Sequence, residues 1–236
     1  MIKKFGVGKF YSVSVGAGGY EYLTLKAKRI IETADIIAVP IKKVGEQSTA
    51  LGIIGELADG KDIMKVLFPM AENKEIRKVH RLHSAELIAE KLNENKNVAM
   101  ITLGDVSVYS TAFYVNEIIS DAGFETETIS GVPSFCICAG KANVSLCEGE
   151  ETLAIVPASS PQIEKIIDSF DNIVVMKAGK KYMPEICRIL EERGLAENSV
   201  AVSRAGLEGE RIYRPEQDSD SGYFTTLIIK KEKKIR

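Results

Sequence analysis

The chain has 236 residues, of which 45% are hydrophobic and 27% are charged, the composition of a globular protein that can bury its own core. Its formal net charge of −2 argues against non-specific binding to nucleic acid. The sequence contains no run of about 18 uninterrupted apolar residues, so it predicts no membrane span. We therefore expect a cytoplasmic protein with neither a nucleic-acid nor a membrane partner.

The four cysteines do not predict a metal site or a disulfide framework. Three of them, Cys136, Cys138 and Cys147, are close in sequence, and Cys187 is remote. Gaps of one and eight residues match no structural zinc spacing. Their flanks are apolar, so we expect these thiols to pack as small hydrophobic side chains in a reducing compartment, with no metal bound.

The first half of the chain alternates between apolar strands and amphipathic helices. Predicted strands cover 10–15, 35–39, 63–67, 97–103 and 126–129, and predicted helices cover 21–33, 51–57, 75–93 and 109–122. This alternation is typical of an α/β fold with mainly parallel pairing.

After the turn at 130–133 the alternation resumes. Predicted helices extend to about 142 and over 162–169 and 183–193, and predicted strands cover 151–156, 172–176, 199–203 and 223–230. We therefore expect two α/β domains, residues 1–127 and 128–236.

The first glycine-rich turn follows a strand, where a dinucleotide-binding loop would lie. Gly16, Gly18 and Gly19 form this turn, but Glu21 occupies the place of the third glycine of the dinucleotide fingerprint. Asp35 lies at the start of the second strand, whereas the ribose-binding acid should follow that strand. A tight strand-to-helix connection explains the turn better than a dinucleotide site does.

Three later strand ends carry residues suited to ligand binding. Gly104 and Asp105 follow one strand, a Ser-Gly-Val-Pro-Ser turn at 130–134 follows the next, and Met176 and Lys177 end a third. In α/β sheets, ligands bind at the carboxyl ends of strands, and glycine allows close backbone approach. The alternative for Asp105 is a helix N-cap.

Taken in order, these segments resemble the tetrapyrrole methylase family over nearly the whole chain. The most specific matches are 23–27 (LTLKA), 103–111 (LGDVSVYST) and 134–135 (SF). Within the family, 146–154 (LCEGEETLA), 204–206 (RAG) and 223–229 (YFTTLII) are most similar to members that methylate carbon 20 of precorrin-2. The chain departs from the family patterns in a shortened first loop and in Val106 and Ser130, which replace prolines.

The resemblance implies two α/β domains with S-adenosylmethionine bound between them, usually in a homodimer. It further implies precorrin-2 or cobalt-precorrin-2 as the substrate, with any cobalt arriving on the substrate. The cofactor contacts implied by the family are Leu103, Gly104, Asp105, Val108, Pro133, Ser134, Met176, Ala205, Gly206 and Thr226.

The implied reaction needs alignment more than a nucleophilic side chain. Carbon 20 of a reduced tetrapyrrole is enamine-like and can attack the sulfonium methyl directly once the two are held in line. Asp105 is our candidate base for the displaced proton, and Lys177 and Tyr223 are candidates for orienting substrate or assisting proton transfer. The cations Lys180, Lys181, Arg204, Arg211 and Arg214 are candidates for a basic cleft that attracts the substrate carboxylates.

Several alternatives remain open from the sequence. The chain could be another member of the family that methylates a different ring carbon or acts on uroporphyrinogen III. It could also have the same fold and methylate a protein in diphthamide synthesis. From other classes of protein, the chain could be a nucleotide-binding oxidoreductase or a non-catalytic module that binds a small molecule.

Overall fold

A computed structural model describes residues 2–69, 73–217 and 222–235. The chain divides into two compact units, Met1–Pro133 and Ser134–Arg236. We call them the N-terminal unit and the C-terminal unit. The division predicted after residue 127 would fall within a strand that pairs inside the N-terminal unit.

The N-terminal unit is built on a parallel five-stranded sheet of order β3-β2-β4-β1-β5. Its strands are β1 (Lys9–Ser14), β2 (Ile36–Ile41), β3 (Asp62–Leu67), β4 (Val98–Thr102) and β5 (Glu125–Ile129). Its helices are α1 (Leu25–Thr33), α2 (Thr49–Ile54), α3 (Lys74–Asn93) and α4 (Thr111–Asp121). Consecutive residues of β2 and β4 are buried, as expected where helices cover both faces of a parallel sheet. The predicted parallel pairing is confirmed.

Polar caps set the starts of these helices. The Thr24 side chain accepts a hydrogen bond from the Ala27 amide, and the Ser110 side chain accepts one from the Ala112 amide. Such caps satisfy amides that have no partner within a helix. Helix α1 therefore begins at Leu25 rather than at the predicted 21, and α4 begins at Thr111 rather than at 109.

The C-terminal unit has a mixed sheet of order β6-β7-β10-β8-β9. Its strands are β6 (Leu153–Pro157), β7 (Asn172–Met176), β8 (Ser199–Ser203), β9 (Arg211–Tyr213) and β10 (Thr225–Lys230). Its helices are α5 (Ser134–Lys141), α6 (Ile163–Ser169) and α7 (Met183–Glu192). Strand β10 is antiparallel to both of its neighbours, β7 and β8. The short strand β9 was not predicted.

The core of the C-terminal unit lies between α6, α7 and one face of the sheet. Ile186, Ile189 and Leu190 of α7 are buried there with Leu227 and Ile229 of β10. None of the helices in the described ranges combines the length and apolar character needed to span a membrane.

Candidate functional site

In the N-terminal unit, two glycine turns meet at the carboxyl ends of adjacent strands. The Gly104 amide donates to the Gly16 carbonyl over 2.7 Å, and the Gly16 amide donates back to the Gly104 carbonyl over 3.2 Å. Both glycines have φ near +75°, at 73° and 76°, a conformation that other residues adopt at a cost. Because β1 and β4 are paired in parallel, their ends bring the two turns together.

The Asp105 carboxylate joins the loop after β4 to the turn after β5. Its Oδ2 accepts a hydrogen bond from the Gly131 amide over 2.8 Å. Its Oδ1 accepts from the Ser107 amide over 2.8 Å and from the Ser107 hydroxyl over 2.5 Å. We call this arrangement of Asp105, Ser107 and Gly131 the Asp105 clasp.

The clasp determines the protonation state of its carboxyl group. Asp105 is only 8% exposed. Burial alone raises the pKa of the Asp105 carboxyl, but the hydrogen bonds from Ser107 and Gly131 outweigh it, so the pKa lies below its ordinary value. The group is therefore an anion at neutral pH, with both oxygens already engaged.

Gly131 is packed so closely that a side chain would not fit. A Cβ there would lie 2.6 Å from the Ser14 Cβ and 2.9 Å from the Gly104 carbonyl oxygen. The Ser14 hydroxyl in turn accepts a hydrogen bond from the Val106 amide over 2.9 Å. The ends of β1, β4 and β5 are thus held together by backbone and small polar groups.

The other predicted cofactor contacts near this clasp are accessible. Leu103 and Val108 belong to the loop after β4, Pro133 ends the turn after β5, and Ser134 begins α5; all four are half-buried. The Val108 amide donates to the Asp105 carbonyl over 3.2 Å. A backbone-lined loop of this kind can present main-chain groups to a small ligand at the carboxyl edge of the sheet.

In the C-terminal unit, Met176 and Thr226 lie directly opposite each other in the antiparallel pair of β7 and β10. Their side chains therefore share one face of the sheet. On that face the Cys138 thiol of α5 is hydrogen-bonded to the Thr226 side chain, and burial raises the pKa of this thiol to about 11. Cys138 is thus a packed, protonated thiol. The predicted packing is confirmed for Cys138 and Cys187, which are buried, and is wrong for Cys136 and Cys147, which are exposed.

Ala205 and Gly206 form the turn after β8. The Gly206 amide donates to the Glu210 carboxylate, which also lies 3.2 Å from the Lys141 Nζ at the end of α5. These contacts, the Gly206 amide first, hold the pKa of the Glu210 carboxyl below its ordinary value. Glu210 was not predicted as a site residue.

Lys177 and Tyr223 are neighbours in the C-terminal unit. The Lys177 Nζ lies 5.4 Å from the centroid of the Tyr223 ring, within cation–π range. Tyr223 is 43% exposed. These two residues are thus placed together, as candidates for a shared role require.

The five predicted cations of the basic cleft occupy different positions in the C-terminal unit. Arg211 of β9 pairs with Ser203, the residue before Arg204. Lys180 and Lys181 precede α7, and the Arg214 guanidinium donates to the Ile235 carbonyl over 3.2 Å. Across residues 2–69, 73–217 and 222–235, no group of three or more metal-ligating side chains is placed to hold an ion.

Sequence reasoning missed Ser14, Ser107 and Gly131 as members of the site. The Asx-type spacing of Asp105 and Ser107 could have indicated their hydrogen bond. The contact between Asp105 and Gly131 joins residues from two different loops, and no local pattern encodes it.

The fold is α/β, and its candidate site lies at the carboxyl ends of the strands, where proteins of this class bind small ligands. A family model described as Tetrapyrrole (Corrin/Porphyrin) Methylases matches residues 9–218. The chain belongs to this family. The nucleotide-binding oxidoreductase considered above is therefore not favoured.

Two curated relatives are similar over nearly their full length. A "probable cobalt-precorrin-2 C(20)-methyltransferase" of Methanocaldococcus jannaschii is 36% identical, over 97% of this chain and 98% of its own. The cobalt-precorrin-2 C(20)-methyltransferase of Salmonella typhimurium is 30% identical, over 95% of this chain and 97% of its own.

A solved structure supports the fold. The uroporphyrin-III C-methyltransferase of Thermus thermophilus, complexed with S-adenosyl homocysteine, superposes with a TM-score of 0.70 at 18% identity. The similarity covers 94% of this chain and 97% of that one.

Proposed function

We propose that the chain transfers the methyl group of S-adenosylmethionine to carbon 20 of precorrin-2 or cobalt-precorrin-2 in cobalamin biosynthesis. The observation that carries this proposal is the full-length similarity, at 36% identity, to a relative named for that reaction. The chain is accordingly a C-methyltransferase, and S-adenosylmethionine is its methyl donor.

The reaction places modest chemical demands on the protein. The enamine-like carbon 20 attacks the methyl group, the sulfonium leaves as a thioether, and the proton on carbon 20 is then lost. The chain's contribution is to hold the two reactants in line at van der Waals distance. No covalent intermediate with a side chain is required.

We propose that Asp105 acts mainly by holding the cofactor-binding loop. Its carboxylate accepts three hydrogen bonds from Ser107 and Gly131, and its pKa is lowered, which makes it a weak proton acceptor. Leu103, Gly104 and Val108 then present main-chain groups to the methionine part of the cofactor.

The remaining cofactor contacts are proposed in the same way. Pro133 and Ser134 are proposed to lie over the cofactor, as is Met176, and Ala205, Gly206 and Thr226 to contact its adenine or ribose. The shared face of Met176 and Thr226 supports their assignment to one ligand. Lys177 and Tyr223 are proposed to orient the substrate.

The proposed function is tested by locating the transferred methyl group. Purified protein is incubated with cofactor labelled with carbon-13 at the methyl group and with either precorrin-2 or its cobalt complex. We expect one new methyl signal in the NMR spectrum, attached to carbon 20. A methyl group on a different ring carbon, or no transfer to either form, would contradict the proposal.

We also propose that the chain forms a homodimer through the exposed apolar residues of α3 and α4. Ile76, Val79 and Leu82 of α3 and Phe113 and Tyr114 of α4 are each more than 40% exposed. A cavity of about 600 Å³ beside them is lined by cations and anions, among them Lys78, Arg81, Glu117 and Asp121. A surface carrying both charges can pair with its own copy across a two-fold axis.

Light scattering tests the dimer with a matched pair of variants. Val79→Glu places a charge in the proposed interface, and Val44→Glu places one on an equally apolar loop residue that is 86% exposed. We expect a monomer for the first variant and a dimer for the second. A dimeric Val79→Glu protein would exclude this surface.

A cytoplasmic location is proposed from the state of the cysteines. All four are free thiols, the form that a reducing compartment maintains.

A further inference from the structure

One aromatic residue of the N-terminal unit, Tyr109, has an uncommon backbone conformation. Among the described non-glycine residues, five have a positive φ: Asn95, Tyr109, Asn143, Lys177 and Arg204. Asparagine tolerates this region, but bulky side chains rarely enter it because their Cβ crowds the backbone. The φ of Tyr109 is 50°. Residues held in such a conformation cluster at functional sites, and Tyr109 lies in the loop between β4 and α4.

The backbone is anchored on both sides of Tyr109. Before it, the Val108 amide donates to the Asp105 carbonyl over 3.2 Å. After it, Ser110 is the N-cap of α4, and the Ser110 hydroxyl lies 3.0 Å from the Thr102 hydroxyl at the end of β4. Tyr109 thus joins a turn closed by Asp105 to a capped helix start, which holds its backbone in the left-handed region despite the steric cost.

Burial of the ring does not account for this conformation. Tyr109 is 49% exposed, whereas Asp105 and Val106 of the same loop are buried. Removing apolar surface from water is favourable, and an aromatic side chain presents a large contact area at a low cost in conformational entropy. The exposed ring is therefore suited to being covered by a flat, largely apolar ligand.

The exposed surface of the loop after β4 is neutral at Tyr109. Burial raises the pKa of the Tyr109 hydroxyl above its ordinary value, so the phenol stays protonated at neutral pH. The carboxylate of the same loop, Asp105, is buried, and its oxygens accept hydrogen bonds from Ser107 and Gly131. The residues that this loop exposes, Ser107 and Tyr109, therefore do not repel a ligand that carries carboxylates.

We propose that Tyr109 is a substrate-positioning residue whose ring lies against one face of the tetrapyrrole. This inference rests on the proposed function, since the tetrapyrrole supplies a flat ring system large enough to cover the Tyr109 side chain. Aromatic rings attract each other in an offset stacked geometry. Because Val108 is a proposed cofactor contact, the residue next to it holds the substrate beside the methyl donor, and this alignment is what the reaction needs.

The test uses uroporphyrin III, a stable fluorescent tetrapyrrole. Tyr109→Asn removes the ring, and asparagine suits the backbone because Asn95 and Asn143 already have positive φ. Tyr109→Phe keeps the ring and removes only the hydroxyl. Phe5→Asn is the matched control: it removes an aromatic side chain that is 81% exposed and precedes β1, whereas Tyr109 follows the parallel strand β4.

We expect Tyr109→Asn to bind uroporphyrin about tenfold more weakly, as for the loss of one stacked aromatic ring. Tyr109→Phe and Phe5→Asn should both stay within about twofold of the parent. With precorrin-2, the KM of Tyr109→Asn should rise by a similar factor while kcat at saturating substrate changes less, because the ring binds the substrate before and during the reaction.

Urea unfolding distinguishes substrate binding from a structural role. Asparagine adopts a positive φ more readily than tyrosine does, so the unfolding midpoint of Tyr109→Asn should equal that of the parent or exceed it. Binding of S-adenosylhomocysteine, measured by calorimetry, should stay within about twofold because the main chain of Val108 is kept. A lower midpoint together with weaker binding of both ligands would assign Tyr109 to the fold, and the inference would be wrong.

The outcomes also separate this inference from the proposed function. If the parent methylates precorrin-2 but Tyr109→Asn keeps its KM and its uroporphyrin affinity, Tyr109 is not a substrate contact. An equal loss of affinity in Tyr109→Phe would assign binding to the hydroxyl and contradict stacking on the ring. A parent that does not bind uroporphyrin would also overturn the inference. If the parent does not methylate precorrin-2, yet Tyr109→Asn alone loses uroporphyrin affinity, the proposed function fails and the contact at Tyr109 stands.

Discussion

The two units position their candidate residues at sheet edges in different ways. In the N-terminal unit, the ends of three parallel strands are joined by hydrogen bonds among Gly16, Gly104, Asp105 and Gly131. In the C-terminal unit, Lys177 and Arg204 flank an antiparallel strand in left-handed conformations. At the strand ends of the N-terminal unit, backbone groups and small side chains are hydrogen-bonded to one another. At the strand ends of the C-terminal unit, two cationic residues have an unfavourable backbone conformation.

This difference distinguishes the kinds of groups that the two units can present to a ligand. A backbone-lined edge suits a cofactor whose shape is constant, because main-chain groups are fixed by the fold. An edge of long cations suits a substrate with flexible carboxylate side chains. Substitutions at the strand ends of the N-terminal unit should therefore affect folding and ligand binding together, whereas the exposed Arg204 of the C-terminal unit should be replaceable with little change in stability.

The largest effect on stability and cofactor binding is expected for Gly131→Ala, in the turn after β5 of the N-terminal unit. The new Cβ would lie 2.6 Å from the Ser14 Cβ, so the turn must move away from the Asp105 carboxylate. We expect a loss of about 1–3 kcal/mol in the free energy of unfolding, as for other overpacked sites. Binding of S-adenosylhomocysteine should fall at least tenfold, as measured by calorimetry.

Gly140→Ala is the matched control for this substitution. A Cβ at Gly140 in α5 meets nothing within 4 Å, and alanine is the better helix former by about 1 kcal/mol. The control should be as stable as the parent or more so. Equal free energies of unfolding for the two alanine variants in urea would show that the close packing around Gly131 does not limit stability.

The next largest effect is expected for Asp105→Asn. An amide has one acceptor oxygen, so it cannot accept from both Ser107 and Gly131 in the geometry of the carboxylate. A buried donor left without a partner costs about 1–3 kcal/mol, and urea unfolding at pH 7 measures this loss. Methyl transfer at saturating substrates distinguishes the roles, because a holding role predicts that the variant regains turnover at high cofactor concentration.

The pH dependence of the Asp105 clasp has a definite sign. The pKa of this carboxyl is lower in the folded chain than its ordinary value, so its contribution is present above the ordinary pKa and is lost as the pH falls through the folded value. The stability difference between the parent and Asp105→Asn should therefore narrow as the pH is lowered from 7 toward 3. A difference that widens in acid would contradict the hydrogen bonds described for Asp105.

Most of the fold could be predicted from the sequence because its elements are strongly patterned. The bounds of β7 and β8 match the predicted 172–176 and 199–203, where apolar runs are bounded by polar residues. Strand β9 was not predicted because only three residues pair there, and two of them are exposed. Such a strand depends on pairing with β8 and carries almost no hydrophobic pattern of its own.

The site could be predicted only in part. Gly104 and Asp105 were identifiable because a glycine and an acid follow a buried strand, and the family resemblance supplied their role. The partner of Asp105 across the sheet edge, Gly131, was not identifiable, because strand order decides which loops meet. Likewise, Lys177 and Arg204 have positive φ directly after β7 and β8 end, and no local sequence pattern encodes that conformation.

The smallest effect on stability is expected for Arg204→Gly, at the end of β8 in the C-terminal unit. Glycine adopts positive φ without the steric cost of about 1–2 kcal/mol that a Cβ brings, although it also loses more entropy on folding. The substitution also removes the hydrogen bond from the Arg204 Nε to the Glu208 carbonyl, which contributes about 1 kcal/mol, so we expect the free energy of unfolding in urea to change by less than about 0.5 kcal/mol. Lys165→Gly in α6 should instead lose about 1 kcal/mol, as glycine does within helices. A loss of more than about 1 kcal/mol for Arg204→Gly would show that the Arg204 side chain stabilises the fold.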